Sequence, residues 1–208
     1  IFKFFAMIGI FIEPNKDLKR YIDKWKKKIN KKFIRTKLTS HPAHSTIYYA
    51  NLKKDKDVLK TLETILKTVN SFEISVNKTL IFYDDALTGG DTMCLLVNKN
   101  NKLFQIQKKI AENLKFFIKK NSNSNRKFIN KTLSTSVKKY GYPFVGKHWL
   151  PHFTIGSIKN KRSSSELKQF VEERAKFTNN INYISAWKIN GNKHILIKRF
   201  KLKINEKN

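Results

Sequence analysis

Apolar residues recur along this chain with two alternating periods, and the period marks the elements. Phe4 to Glu13 is nearly continuous in apolar residues and reads as a strand that Pro14-Asn15 ends. Asp17 to Phe33 carries Leu18, Tyr21, Ile22, Trp25 and Ile29 at helical spacing. Strands follow over His44 to Ala50, Phe72 to Tyr83 and Thr92 to Val97, the last two joined by a turn at Gly89-Gly90. Helices are expected over Asp57 to Val69 and Asn101 to Lys120. A strand then runs from His152 to Ile158. A helix covers Ser163 to Phe177, with Ser164 or Ser165 as its N-cap. Two alternating stretches, Tyr183 to Ile189 and His194 to Leu202, flank Asn190-Gly191, a strong hairpin signal.

The order strand–helix–strand–helix–strands is followed by helix–strand–helix–strands, so the second half echoes the first. This pattern predicts a duplicated α+β fold in a single domain over residues 1–208. The stretch 121–135 begins rich in Asn, Ser and Lys and is expected to be a flexible loop.

Composition narrows the class. Hydrophobic residues make up 40% of the 208 positions and aromatics 12%, which a disordered chain would lack. Ile1 to Ile12 is apolar except for Lys3 and Gly9. Twelve residues cannot cross a bilayer, so this segment reads as a buried first strand and no membrane partner is expected. Cys94 is the single cysteine, which excludes an internal disulfide and a cysteine zinc cluster and fits a reducing, cytoplasmic setting. A monomer is expected. The net charge of +29 fits an RNA or nucleotide phosphate partner. Lysine supplies 38 of the 44 basic residues, and a coding bias explains such an excess equally well.

One tetrapeptide pattern occurs twice inside expected strands: His44-Ser45-Thr46-Ile47 and His152-Phe153-Thr154-Ile155. Each copy follows a proline-containing segment. Side chains alternate along a strand, so His44 and Thr46 share one face, as do His152 and Thr154. The same alternation puts Gly156 on the face of His152 and Thr154. A lone His-x-Thr is usually a structural pair. Two copies in a chain with 5 His are a different matter. Histidine, with an unperturbed pKa of about 6.5, serves as acid or base near neutrality. Threonine hydroxyls donate to phosphate oxygens where charge builds up. Two of each form a complete set for cleaving a phosphodiester, with no metal or other cofactor called for.

The paired motifs resemble those of the two-histidine (2H) phosphoesterase superfamily, which contains the RNA 2′-5′ ligase-like proteins and the 2′,3′-cyclic nucleotide phosphodiesterases. Trp149-Leu150-Pro151-His152-Phe153-Thr154-Ile155 and the opening Phe5-Ala6-Met7-Ile8-Gly9-Ile10-Phe11-Ile12-Glu13-Pro14 carry the likeness. Ala43 departs from it, standing where Pro or Leu is common. The resemblance implies two pseudo-symmetric lobes of antiparallel-rich sheet, with outer helices, around a central cleft. It implies metal-independent turnover of a 2′,3′-cyclic phosphate or 2′-5′ phosphodiester at RNA ends or in nucleotides. It also implies His152 as base and His44 as acid, with the catalytic set His44, Thr46, His152 and Thr154. Two alternatives stay open: another small phosphodiester as substrate, or an RNA-binding module of the same fold without turnover.

Other residues near the motifs are candidates for binding. Tyr48, Tyr142, Phe144, Lys147 and Trp149 could stack a base and hold a phosphate, and core packing of these aromatics is the competing reading. The spacings His41-x-x-His44 and His148-x-x-x-His152 invite a metal reading, but neither pair has helical context or gives two ligands on one strand face, so His41 and His148 read as loop or substrate-rim residues. His194 is assigned to the last hairpin. Asp84, Asp85 and Asp91 flank the Gly89-Gly90 turn and read as turn and capping residues.

Overall fold

All the strands join one antiparallel sheet. The computed structural model describes residues 7–33, 36, 38–85, 87–119, 131–159 and 163–204. The strands are β1 (Met7–Ile12), β2 (Ser45–Ala50), β3 (Phe72–Asp85), β4 (Gly90–Val97), β5 (His152–Ile158), β6 (Phe177–Ile181), β7 (Tyr183–Asn190) and β8 (Lys193–Lys201). The helices are α1 (Lys16–Lys32), α2 (Asp55–Leu66), α3 (Asn101–Leu114), α4 (Lys131–Tyr140) and α5 (Ser165–Glu172). The strand order is β6-β3-β4-β5-β2-β1-β7-β8.

That order divides into two four-stranded halves, β6-β3-β4-β5 and β2-β1-β7-β8, which meet where β2 pairs with β5. The contact at the seam is short, with Ser45 opposite Phe153. Ser45 and Phe153 are both fully buried, as are Ile47 and Ile155, so this face of the seam belongs to the core. The helices cover it: α1 packs on β5 and β6, α2 on α3 and β8, α3 on β2, and α5 on β3. Leu18, Ile22, Trp25 and Ile29 of α1 are buried, the stripe that the helical period predicts. Asn15 caps this helix through Leu18 N at 3.0 Å, and Ser164 caps α5 through Leu167 N at 3.3 Å. The opposite face of the sheet carries the second residue of each alternation, and that face holds the site.

Several boundaries differ from the sequence reading. Phe4 to Ala6 of the first strand, Lys120 of the third helix and residues 121–130 of the expected loop lie outside the described residues. Residues 131–135 belong to α4, which the sequence pattern did not reveal. The buried residue of that helix is Ser136, bonded to the Tyr142 carbonyl at 3.0 Å, so a Ser/Thr-rich segment conceals a packed face. The helix expected over Ser163 to Phe177 stops at Glu172. Phe177–Ile181 is instead the edge strand β6, paired with Phe72–Val76 of β3. Asn179 in that strand is buried and bonds Asn15 N and the Glu13 carbonyl, a tertiary reason for a strand of low β-propensity. The Asn190-Gly191 hairpin forms as expected, with Gly191 at φ 57° in the left-handed region. Among the described residues no helix is long and apolar enough to cross a membrane.

Candidate active site

The seam register brings the two motifs together. With Ser45 opposite Phe153 in an antiparallel pair, His44 lies across from Thr154, and Thr46 from His152. All four are half-buried on the face away from the helices. The two histidines occupy diagonal positions, about 7–8 Å apart at the backbone. They flank the space above the seam from opposite sides, with a threonine beside each. His44 lies one residue ahead of β2 rather than in its first position, because the strand begins at Ser45.

The two rings are held alike. His44 Nδ1 is 2.7 Å from the Pro42 carbonyl, and His152 Nδ1 is 2.7 Å from the Leu150 carbonyl. A carbonyl only accepts, so Nδ1 is the donor in both rings and the lone pair of the neutral form lies on Nε2. Aromatic rings from other strands brace both. Phe11 of β1 stacks on His44 with centroids 4.0 Å apart, and Phe82 of β3 meets His152 edge-on at 5.3 Å. Gly9 makes the first contact possible: a Cβ there would stand 2.2 Å from the Phe11 ring.

The charge around the rings is unequal. Burial pushes the His44 pKa down to about 3; the Pro42 hydrogen bond opposes this, and His194, Lys26 and His41 add to it. Burial also lowers the His152 pKa, but there both the Leu150 hydrogen bond and the Asp85 carboxylate oppose the shift. Both imidazoles are therefore neutral in the unliganded protein at neutral pH. A bound phosphate favours imidazolium and so raises both.

Each motif also contains a β-bulge at its fourth residue. Phe11 pairs with Thr46 and Ile10 with Tyr48, leaving Ile47 as the extra residue; Cys94 pairs with Thr154 and Met93 with Gly156, leaving Ile155 extra. A bulge reverses the alternation beyond it, and two expectations fall as a result. Tyr48 does not face the cleft: it is fully buried in the core, its hydroxyl bonded to the Tyr140 carbonyl. Gly156 is not on the face of His152 and Thr154: it is buried opposite Met93, and Ser157 takes the cleft side opposite Thr92.

The remaining candidates for substrate binding gather on the helix layer. Trp149 is buried, packs edge-on against Phe104 of α3 at 5.1 Å, and donates Nε1–H to the Thr46 carbonyl at 2.9 Å. It anchors the first motif from behind. Tyr142 packs between Tyr48 and Phe144 at 5.8 and 5.7 Å. The Phe144 carbonyl accepts from Gln107 of α3 at 3.1 Å. Lys147 is exposed in the 3₁₀ turn Gly146–His148, which also packs against α3. His148 is in the same turn, with Nε2 buried and unpartnered. The aromatic segment thus supports the seam from the core side, since the carbonyls and rings described are committed to α3, α4 and β2.

Sequence reasoning missed the cleft neighbours that come from distant strands. His194 of β8 lies 6.1 Å from His44 and 4.4 Å from His41, ring to ring. Phe11, Glu13, Pro42, Ala43, Trp187 and His194 line a small hollow beside His44. On the other half, Asp85 accepts from Thr88 and Thr92 at 3.1 and 2.7 Å, the turn role expected of it. Asp91 likewise accepts from Asp84 N at 3.0 Å. Cys94 is buried 3.9 Å from Thr154 Oγ1. Alternation puts Phe11 on one face of its strand, but only the strand order puts that face beside His44. Among the described residues no group of three or more His, Cys, Asp or Glu is arranged to hold a metal ion.

Comparison with known proteins gives the family and the fold. The family model of the 2′-5′ RNA ligase superfamily matches residues 14–192. No curated protein matches by sequence. Among solved structures, E. coli LigT complexed with 3′-AMP aligns over 96% of this chain and 99% of its own, at 11% identity and a TM-score of 0.58. A Thermus thermophilus protein, TT0787, aligns over 96% of this chain and 100% of its own, at 10% identity and a TM-score of 0.60. At these identities the likeness is one of fold.

Proposed function

Because the chain belongs to the 2′-5′ RNA ligase superfamily, we propose that it is a phosphoesterase for a 2′,3′-cyclic phosphate or 2′-5′ phosphodiester in nucleotides or at RNA ends. The observation that carries this reading is the seam register, which sets His44, Thr46, His152 and Thr154 on one face. The phosphorus sits above the seam. The two threonine hydroxyls donate to its non-bridging oxygens, whose charge grows in the transition state. One Nε2 takes a proton from the attacking water. The Nε2 of the other histidine, protonated, delivers a proton to the ribose oxygen as its bond to phosphorus breaks. Diagonal placement suits in-line displacement, because the entering and leaving oxygens lie on opposite sides of phosphorus.

The charge asymmetry bears on which histidine does which. Asp85 favours imidazolium at His152, while Lys26, His41 and His194 disfavour it at His44. In hydrolysis this makes His44 the better base and His152 the better acid, the reverse of what the resemblance implies. The related LigT has been solved with 3′-AMP, ATP and NADP+, which favours a nucleotide-bearing substrate here. The excess of lysine adds an attractive field for such an anion. The test is to incubate the protein in EDTA with 2′,3′-cyclic mononucleotides, short RNAs with cyclic ends and 2′-5′-linked dinucleotides. Ring opening or linkage cleavage supports the reading; no turnover of any of them overturns it.

A further inference from the structure

We propose that His41 and His194 form a second phosphate subsite, so that the enzyme favours a nucleotide or RNA end carrying another phosphate one nucleoside away from the reacting one. This rests on the reading just given, since it adds a subsite to that active site.

The observations are geometric first. The rings of His44, His194 and His41 form a chain, with centroid separations of 6.1 Å and then 4.4 Å. His194 lines the hollow beside His44. Its Nδ1 is 3.2 Å from the Asn192 carbonyl, the same link to a carbonyl two residues upstream that holds His44, and this leaves Nε2 for a ligand. The His41 carbonyl accepts from Lys26 Nζ, so a buried ammonium lies behind the cluster.

The chemistry of the cluster selects an anion. Three imidazoles gather at this end of the cleft, with the Lys26 ammonium buried behind them. Glu13 also lines the hollow, but Arg199 already holds its carboxylate through Nε at 3.0 Å and Nη2 at 2.8 Å. Burial, with His194 and Lys26 beside it, lowers the pKa of His41 to about 4 against a hydrogen bond with Asn192, and burial and Lys26 lower that of His194. A phosphate set against the edges of both rings reverses that cost, because its charge stabilises the imidazolium form and its oxygens accept the N–H groups. The other end of the cleft is less suited to the same task, because there the Asp85 carboxylate acts on His152. A substrate with two phosphates therefore extends over the His44 side.

The experiment compares a nucleoside 2′,3′-cyclic phosphate bearing a 5′-hydroxyl with the same compound bearing a 5′-phosphate, by initial rates at fixed ionic strength. The wild type is expected to show a KM about tenfold lower for the 5′-phosphorylated compound, with similar kcat, the effect of one or two charge-assisted hydrogen bonds. In His41→Gln/His194→Gln the two KM values should converge. In His194→Lys, which restores a cation, the preference should return. Thermal melts establish that each variant is folded, and the ratio of the two substrates in one variant cancels a general loss of activity. If the wild type turns over both compounds with equal KM, or if the double variant keeps the preference, the subsite is wrong while the proposed function stands. If the wild type turns over neither of these compounds, nor a cyclic-ended RNA or a 2′-5′-linked dinucleotide, the proposed function itself falls.

Discussion

His44 Nδ1 and His152 Nδ1 each lie 2.7 Å from the carbonyl oxygen two residues upstream, at Pro42 and at Leu150. The equality matters because it sets the tautomer of both rings. Neither Nε2 carries a proton in the neutral state, so neither histidine is committed to one role by its hydrogen bonds. What separates them is the surrounding charge, and that difference can be measured.

Substrate binding should move the titration of the site. In the free protein burial lowers both histidine pKa values, to about 3 at His44. A bound anionic phosphodiester raises them. The alkaline limb of kcat, which reports the complex, should therefore lie at higher pH than the alkaline limb of kcat/KM, which reports the free enzyme. Coincident limbs would show that the phosphate does not sit against these rings.

The assignment of roles predicts an asymmetry between variants. An aryl phosphodiester with a p-nitrophenolate leaving group needs no general acid. His152→Ala should retain most of its activity on that substrate while losing about 10²–10⁴ on a cyclic phosphate, the usual range for a general acid or base. His44→Ala should lose activity on both. The opposite pattern would return His152 to the base and His44 to the acid.

Much of this site was legible before the fold. The two His-x-Thr stretches, their strands and their shared face follow from alternation alone, and the strand His152 to Ile158 formed with its expected bounds. Alternation failed beyond Thr46 and Thr154, because a bulge at Ile47 and at Ile155 adds a residue that local propensity does not mark. Tyr48 and Gly156 were misplaced for that reason. Trp149 is open to two readings in sequence for another reason: aromatic side chains near a motif look alike whether they stack a base or pack on a helix, and the packing on α3 behind the seam favours the second. His194 and Phe11 depend on the order β2-β1-β7-β8, a long-range property absent from any local window.

Gly9 offers a test of the packing beneath His44. Gly9→Ala places a methyl group 2.2 Å from the unshifted Phe11 ring, so the ring must move, and His44 stacks on that ring. Overpacking of this kind costs about 1–3 kcal/mol. The melting temperature should fall and kcat should drop with it. A variant as stable and as active as the wild type would mean that Phe11 does not position His44.

Trp149→Phe separates anchoring from substrate contact. The substitution keeps most of the packing on Phe104 and removes the bond to the Thr46 carbonyl. Stability should fall by about 1 kcal/mol, the typical net value of one hydrogen bond, with KM nearly unchanged. A rise in KM without loss of stability would restore Trp149 to the substrate.

Acid stability follows from the depressed histidines. A histidine with a folded-state pKa below its unfolded value contributes no cost above about pH 6.5. Below that the unfolded chain takes up the proton first, so stability declines until the folded value is reached. His41 and His44, lowered to about 4 and about 3, place the decline between about pH 6.5 and pH 3. Denaturant midpoints measured across this window should fall with pH, and less steeply in His41→Gln. A flat profile would show that these rings are not held neutral by the fold.

The most direct test of the central claim is the turnover of a 2′,3′-cyclic nucleotide, in EDTA, by the wild type, His44→Ala, His152→Ala and the double variant, each shown to be folded by thermal melting. Each single substitution should lower kcat by about 10²–10⁴. The double variant should be little worse than the poorer single one, because the two rings act as a unit. Thr46→Ala and Thr154→Ala should lose less, about 10–10², as single phosphate donors. Near-normal turnover by both folded histidine variants would contradict the account and leave the cleft without the active site assigned to it.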